Sequence, residues 1–268
     1  MRSRSLAVLA ALAALLAACS SGNSSASGGD STSGSAAGAT EITVFAASSL
    51  TAAFTQIGKD FEAANPGTTV NFNFGSSGDL AGQIESEGTA DVFASASGTY
   101  MDDVSKKVGV TDRADFAQNK LVIIAPHDNP AHIESLTDLS KPGVQLVIAA
   151  AGVPVGDYAR QMLDAANLSK SVLANVVSNE PDDASIVAKI TSGEADAAIV
   201  YLSDVTSQVA PQVTSIPVPD AVNVTATYPI AEVDGSDHAA AAVAFVGYVA
   251  GAQGQATLQK FGFLPAPR

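Results

Sequence analysis

Between residues 41 and 97 the apolar spacing alternates between period two and period 3.6. EITVFAA (41–47) has the β-branched core of a strand. From Leu50 the apolar residues fall at Ala53, Phe54, Ile57, Phe61 and Ala64, one face of a helix, until Asn65-Pro66-Gly67 stops it. TTVNFNF (68–74) alternates as a strand. LAGQIES (80–86), behind Gly78 and Asp79 as candidate caps, reads as a helix, and ADVFASAS (90–97) as a third strand. Strand, helix, strand, helix, strand predicts the α/β class, with a parallel sheet covered by helices.

The alternation resumes further on. NKLVIIAP (119–126) and VQLVIAA (144–150) read as buried strands, and GVPVGDYARQMLDAAN (152–167) follows the second as a turn and helix. SIVAKITSGEADAAIVYLSD (185–204) reads as a helix, a glycine turn and a strand. A proline-rich stretch (211–219) precedes AVNVTATYPIAEV (221–233), which reads as extended, and HAAAAVAFVGYVAGAQGQATLQKFGF (238–263) reads as one or two helices. These elements predict two α/β lobes, with the chain crossing near Asn119 and returning near Tyr228. The first lobe is then discontinuous, residues 41–120 with 225–268, and the second is 121–224.

The start of the chain sets the compartment. Arg2 and Arg4 precede an apolar run from Leu6 to Ala18, a secretory signal too short for a spanning helix. Leu16-Ala17-Ala18-Cys19 resembles the bacterial lipobox, which predicts a signal over 1–18 and acylation of Cys19. Cys19 is the only cysteine, so no intrachain disulfide is available. Residues 20–40 hold no large apolar side chain and cannot offset their ordering entropy; 19–40 is expected to be a flexible tether. The expected location is extracytoplasmic, on the cell membrane through a lipid anchor.

The formal charge is −14, and loss of Arg2 and Arg4 with the signal makes it more negative. Nucleic acid, bound chiefly through cationic contacts to phosphate, is excluded as a partner. A small anion is not, because oriented dipoles in a cleft can hold one while the outer surface stays acidic.

Ligands of open α/β sheets sit beyond the carboxyl ends of the strands. FAASSLT (45–51) and FGSSGDL (74–80) place Ser48, Ser49, Ser76 and Ser77 at such ends, each pair beside a helix start. Helix starts offer unpaired backbone N–H groups and the positive end of a dipole. Gly75 and Gly78 permit close backbone approach. GVPVGDYA (152–159) is a similar turn in the second half. Taken singly, each is an ordinary cap serine or turn glycine; together they suggest an anion site built of neutral donors.

ITVFAASSLTAAFTQIGKDFE, FGSSGDLAGQIESEGTADVFASAS, GVPVGDYA and SGEADAAIVYLSD resemble the molybdate-binding proteins of bacterial ABC importers, over nearly all of residues 41–268. The resemblance implies a type II periplasmic-binding-protein fold, two lobes joined by two crossover strands. It implies a monomeric binding protein without catalytic activity or cofactor, capturing molybdate, and tungstate of the same shape and charge, for a membrane permease. The family's donors fall on the hydroxyls and N–H groups of Ser49 and Ser77, the N–H groups of Val155 and Asp183, and the phenol of Tyr201. The family carries Ala at the position of Val155 and Val at that of Asp183. Backbone donors tolerate both changes if the side chain points away; a carboxylate facing a dianion is repelled.

Two other functions compete. A receptor for sulfate or phosphate would use similar donors, and protonated phosphate would gain from an acceptor such as Asp183. A serine hydrolase is disfavoured because GSSG (75–78) is not the Gly-x-Ser-x-Gly elbow, and His127, His132 and His238 lie in loop-like stretches. Asp102-Asp103 and Asp182-Asp183 read as solvated turn residues, so no metal site is expected apart from the molybdenum carried in the oxyanion.

Overall fold

The computed structural model describes residues 40–267; the expected signal, Cys19 and nearly all of the expected tether lie outside them. In chain order the elements are β1 (Thr40–Ala47), α1 (Thr51–Ala64), β2 (Thr68–Gly75), α2 (Ser77–Glu87), β3 (Val92–Ala94), α3 (Gly98–Lys107), β4 (Val110–Pro126), β5 (Leu146–Ala149), α4 (Pro154–Ala165), α5 (Ser169–Leu173), β6 (Val176–Glu180), α6 (Asp183–Thr191), β7 (Ala197–Tyr201), β8 (Val213–Pro217), β9 (Thr225–Val233), α7 (Ala239–Ala250), α8 (Ala252–Lys260) and β10 (Leu264–Pro265). No described helix is long and apolar enough to cross a membrane.

The strands run in the order β2-β1-β3-β9-β4-β7-β5-β6. β1 pairs parallel with β2 and β3, and β5 pairs parallel with β6 and β7. Two antiparallel strands connect these parallel groups. β9 lies between β3 and β4, and β4 changes neighbours along its length: Val110–Lys120 faces β9, whereas Leu121–Pro126 lies against β7 and β8. The change of partner matches a change in burial. Leu121–Ala125 is fully apolar and buried, as a strand covered on both faces must be. Thr111–Arg113 is exposed, and register shifts after Thr111 and Asp115 interrupt its ladder with β9.

Phe54 of α1 fixes the helices on the first parallel group. Its ring meets Phe72, Phe116 and Phe245 with centroids 5.7–6.1 Å apart, in tilted and edge-on contacts. Such contacts add about 0.5–1.5 kcal/mol each beyond the area they bury. β8 falls inside the stretch read as proline-rich; it pairs only with β4, and Pro217 sits at its last position, where a missing N–H is tolerated.

Candidate functional site

The parallel strands β1, β2, β5 and β7 end at Ala47, Gly75, Ala149 and Tyr201, and all but β7 lead into a turn that starts a helix. After β1, Ser48–Leu50 form one 3₁₀ turn that feeds straight into α1. After β2, Ser76 stands in extended conformation before α2, and its hydroxyl makes no capping bond. After β5, Pro154 occupies the first turn of α4, where its missing N–H costs nothing. Gly156 follows, and a Cβ there would lie 2.5 Å from the carbonyl oxygens of Ala149 and Ala150. Only glycine lets α4 begin this close to β5. Gly78 plays a similar part in α2: a Cβ would sit 3.0 Å from the Gly152 oxygen and 3.1 Å from the Tyr100 ring.

These turns converge on one small cavity. Ser48, Ser76, Ser77, Val155, Asp183 and Tyr201 line it, with Ala47, Gly75, Ala96, Val153 and Pro154, and no lysine or arginine is among them. The starts of α2, α4 and α6 and the turn before α1 therefore direct backbone N–H groups and dipoles into one small space.

Four of the five residues expected from the sequence, Ser77, Val155, Asp183 and Tyr201, meet at this wall. Ser77 accepts the Ala96 N–H at 3.0 Å, so its own hydroxyl proton remains to be given. Ser49 stands apart. Its hydroxyl is buried 3.0 Å from the Tyr228 phenol oxygen. The neighbouring Ser48 lines the cavity instead, and its hydroxyl donates to Asp183 Oδ2 at 2.8 Å.

Asp182 and Asp183 divide two tasks. Asp182 is the N-cap of α6, accepting the Ser185 N–H at 2.7 Å. Asp183, the next residue, is 5% exposed and lines the cavity. Its Oδ1 and the phenol oxygen of Tyr201 are buried without a hydrogen-bond partner. Buried polar atoms are nearly always paired, and an unpaired one costs about 1–3 kcal/mol. Two on one cavity wall point to a polar group that belongs between them.

Burial pushes the Asp183 carboxyl up to about 6, with Asp182 adding to the rise and Ser48 and Ser49 opposing it. Burial and the nearby Asp183 also raise Asp204, which accepts the Tyr201 N–H at 2.8 Å. The Tyr201 phenol is held well above its ordinary value, first by burial, so it stays an O–H donor. Among the described residues no cluster of His, Cys, Asp or Glu is arranged to hold a metal ion.

The reading of the sequence did not single out the polar cluster behind the site. Asn119 Nδ2 donates to Ser203 Oγ at 2.8 Å and to the Tyr228 oxygen at 3.3 Å. Through Tyr228 this cluster reaches Ser49, tying β4, β9 and the turn before α1 together. A buried asparagine at the head of the apolar run LVIIA was the available signal. Nearby, Tyr100 of α3 donates its hydroxyl proton to the Gly152 carbonyl before α4.

The model of the bacterial extracellular solute-binding protein family matches residues 42–264. A molybdate-binding protein of Mycobacterium bovis is 42% identical over 234 residues, which span 87% of this chain and 88% of the relative. A molybdate-binding protein of Escherichia coli is 32% identical over 231 residues, 83% and 88% of the two chains. In fold, the chain is similar to the periplasmic molybdate-binding protein of Azotobacter vinelandii, with a TM-score of 0.75 at 20% identity over 85% of this chain and all of that one.

Proposed function

The chain belongs to the bacterial extracellular solute-binding protein family, and from that premise we propose that it captures molybdate for an ABC importer. It works outside the cytoplasm, delivers its ligand to a membrane permease, and is a binding protein and not an enzyme. Molybdate is the transported ligand and not a cofactor. The fold is of the two-lobed type II periplasmic-binding kind.

The finer reading assigns the oxyanion to the small cavity, held by the N–H groups of Ser77, Val155 and Asp183, the Ser77 hydroxyl and the Tyr201 phenol, with Ser49 standing behind the wall. The groups that hold it are all donors to the oxyanion's oxygens, and none ligates the metal. The observation that carries this reading is the unpartnered Tyr201 hydroxyl at a wall otherwise built from helix starts. Each hydrogen bond to the anion contributes about 1.5–3 kcal/mol. Residues 41–120 with 225–268 form one lobe and 121–224 the other. Donors come from both, so the ligand favours the closed state by differential affinity. Tungstate, equal in shape and charge, binds as well. The working form is a monomer tethered through acylated Cys19, and Cys19→Ala releases it from the membrane fraction; retention of that variant would reject the anchor.

Titration calorimetry of the mature chain with molybdate, tungstate, sulfate and phosphate tests the reading. Heats saturating at one molybdate per chain, competed by tungstate and not by sulfate, are expected. Binding of sulfate or phosphate in preference to molybdate would overturn it.

A further inference from the structure

We propose that this site binds its dianion together with one proton, held between the Asp183 carboxyl and an oxygen of the bound oxyanion. The inference rests on the functional reading above and concerns the one acidic residue that lines the cavity. Asp183 does not cap its own helix, and only one of its two carboxyl oxygens is bonded within the protein. The cap of α6 is Asp182, already bonded to the Ser185 N–H. Asp183 Oδ2 takes the Ser48 hydroxyl and Oδ1 has no partner, although the residue is almost fully buried. An ionised carboxylate has only acceptors to offer, and so have the oxygens of an oxyanion. Acceptor against acceptor at a buried wall is repulsive unless a proton lies between them, and that proton turns the contact into a hydrogen bond.

The surroundings favour the proton. On α6, Asp182 adds negative charge beside Asp183. From the segment after β7 comes Asp204, from β7 Tyr201 and from β9 Tyr228, all sensing the Asp183 charge unfavourably. The turn before α1 supplies only the Ser48 hydroxyl and Ser49 N–H, and the α2 and α4 turns contribute serines and Val155. The lysine of α6, Lys189, pairs with Glu180 at 3.1 Å. Without ligand, Asp183 titrates near 6. A dianion in the cavity can only raise that value. Below it the carboxyl is already protonated and binding needs no further proton; above it each oxyanion must bring one from solvent. The balance is one molybdate and one proton taken from water by the ionised free form, with no bond to molybdenum made or broken.

The test is calorimetry of the mature protein with sodium molybdate from pH 5 to pH 8.5, in pairs of buffers that differ in ionisation heat. Between pH 7 and 8 the wild type is expected to take up about one proton per molybdate and to lose about tenfold in affinity per pH unit. Both effects should fade below pH 6. Asp183→Asn should take up no proton and show a flat affinity profile, while Asp204→Asn should keep the wild-type slope. Constant wild-type affinity without proton uptake overturns the inference and leaves molybdate capture standing. So does a slope that survives in Asp183→Asn or vanishes only in Asp204→Asn. Absence of molybdate binding at every pH overturns the inference and the functional reading together. The wild-type profile decides the matter even if a variant fails to fold.

Discussion

Replacing Tyr201 by Phe removes one oxygen from the innermost wall of the cavity and leaves the ring in place. The ring is well held: it lies 5.8 Å from Tyr228 and 6.5 Å from Tyr158 between centroids, and the residue is 1% exposed. Packing therefore changes little. In the free protein the hydroxyl is a buried donor with no acceptor, so its loss removes a penalty of about 1–3 kcal/mol. For a chain of this size a gain of 1 kcal/mol raises Tm by about 2–4 °C. In the complex the same hydroxyl donates to an anion, and losing it costs about 1.5–3 kcal/mol, or roughly 10- to 150-fold in Kd. The expected result is a pair of opposite changes: equal or higher thermal stability without ligand, measured by scanning calorimetry, and weaker molybdate binding, measured by titration. Wild-type affinity in a folded Tyr201→Phe would falsify the donor role. A fall in apo stability with affinity intact would mean that the hydroxyl serves the protein's own structure.

Tyr100→Phe removes the bond from α3 to the Gly152 carbonyl just before α4; affinity should drop about 2- to 10-fold, worth about 0.5–1.5 kcal/mol, with apo Tm little changed. Gly156→Ala places a methyl against two backbone oxygens at 2.5 Å and should displace the start of α4, lowering Tm and abolishing measurable molybdate binding. Asp183 titrates near 6 when folded against an ordinary 3.8, so its contribution to stability is full below about pH 4 and lost as pH rises through 6. Chemical denaturation of the ligand-free wild type should thus show about 2 kcal/mol less stability at pH 7 than at pH 4 from this group, a difference that Asp183→Asn lacks.

Much of this arrangement was legible in the chain. β1, β5 and β7 announce themselves as β-branched runs, and the first two end where small residues begin. The first part of β4 was hidden because Thr111–Arg113 is exposed and the ladder is broken by bulges, so neither alternation nor an apolar run marks it. Val176–Glu180 escaped for a related reason: β6 is an outer strand, pairing only with β5, and its side chains are mostly half-buried or exposed. At the site, sequence could name FAASSLT without saying which serine hydroxyl faces the cavity. A single 3₁₀ turn decides that, aiming Ser48 at Asp183 and Ser49 at Tyr228. Asp182 and Asp183 both read as solvated turn residues, which the structure corrects: the start of α6 makes Asp182 its cap and buries Asp183 at the cavity.

The position of β9 between β3 and β4 has a consequence for how the protein assembles. Strand β3 can pair with β1 as soon as both are made, but its other edge must wait for β9. Everything from β4 to β8, including the parallel strands β5, β6 and β7, is synthesised in the interval. That stretch can form its local pairings first, while Phe93 remains without its neighbour Ala231. Closing so long a loop costs entropy before any contact repays it, which slows the final step. The half-made sheet keeps an open edge meanwhile, a template for mispairing with another copy. Mutations that loosen the β3–β9 ladder should therefore act first on refolding yield, at concentrations where chains meet, and only afterwards on the equilibrium stability of the finished protein.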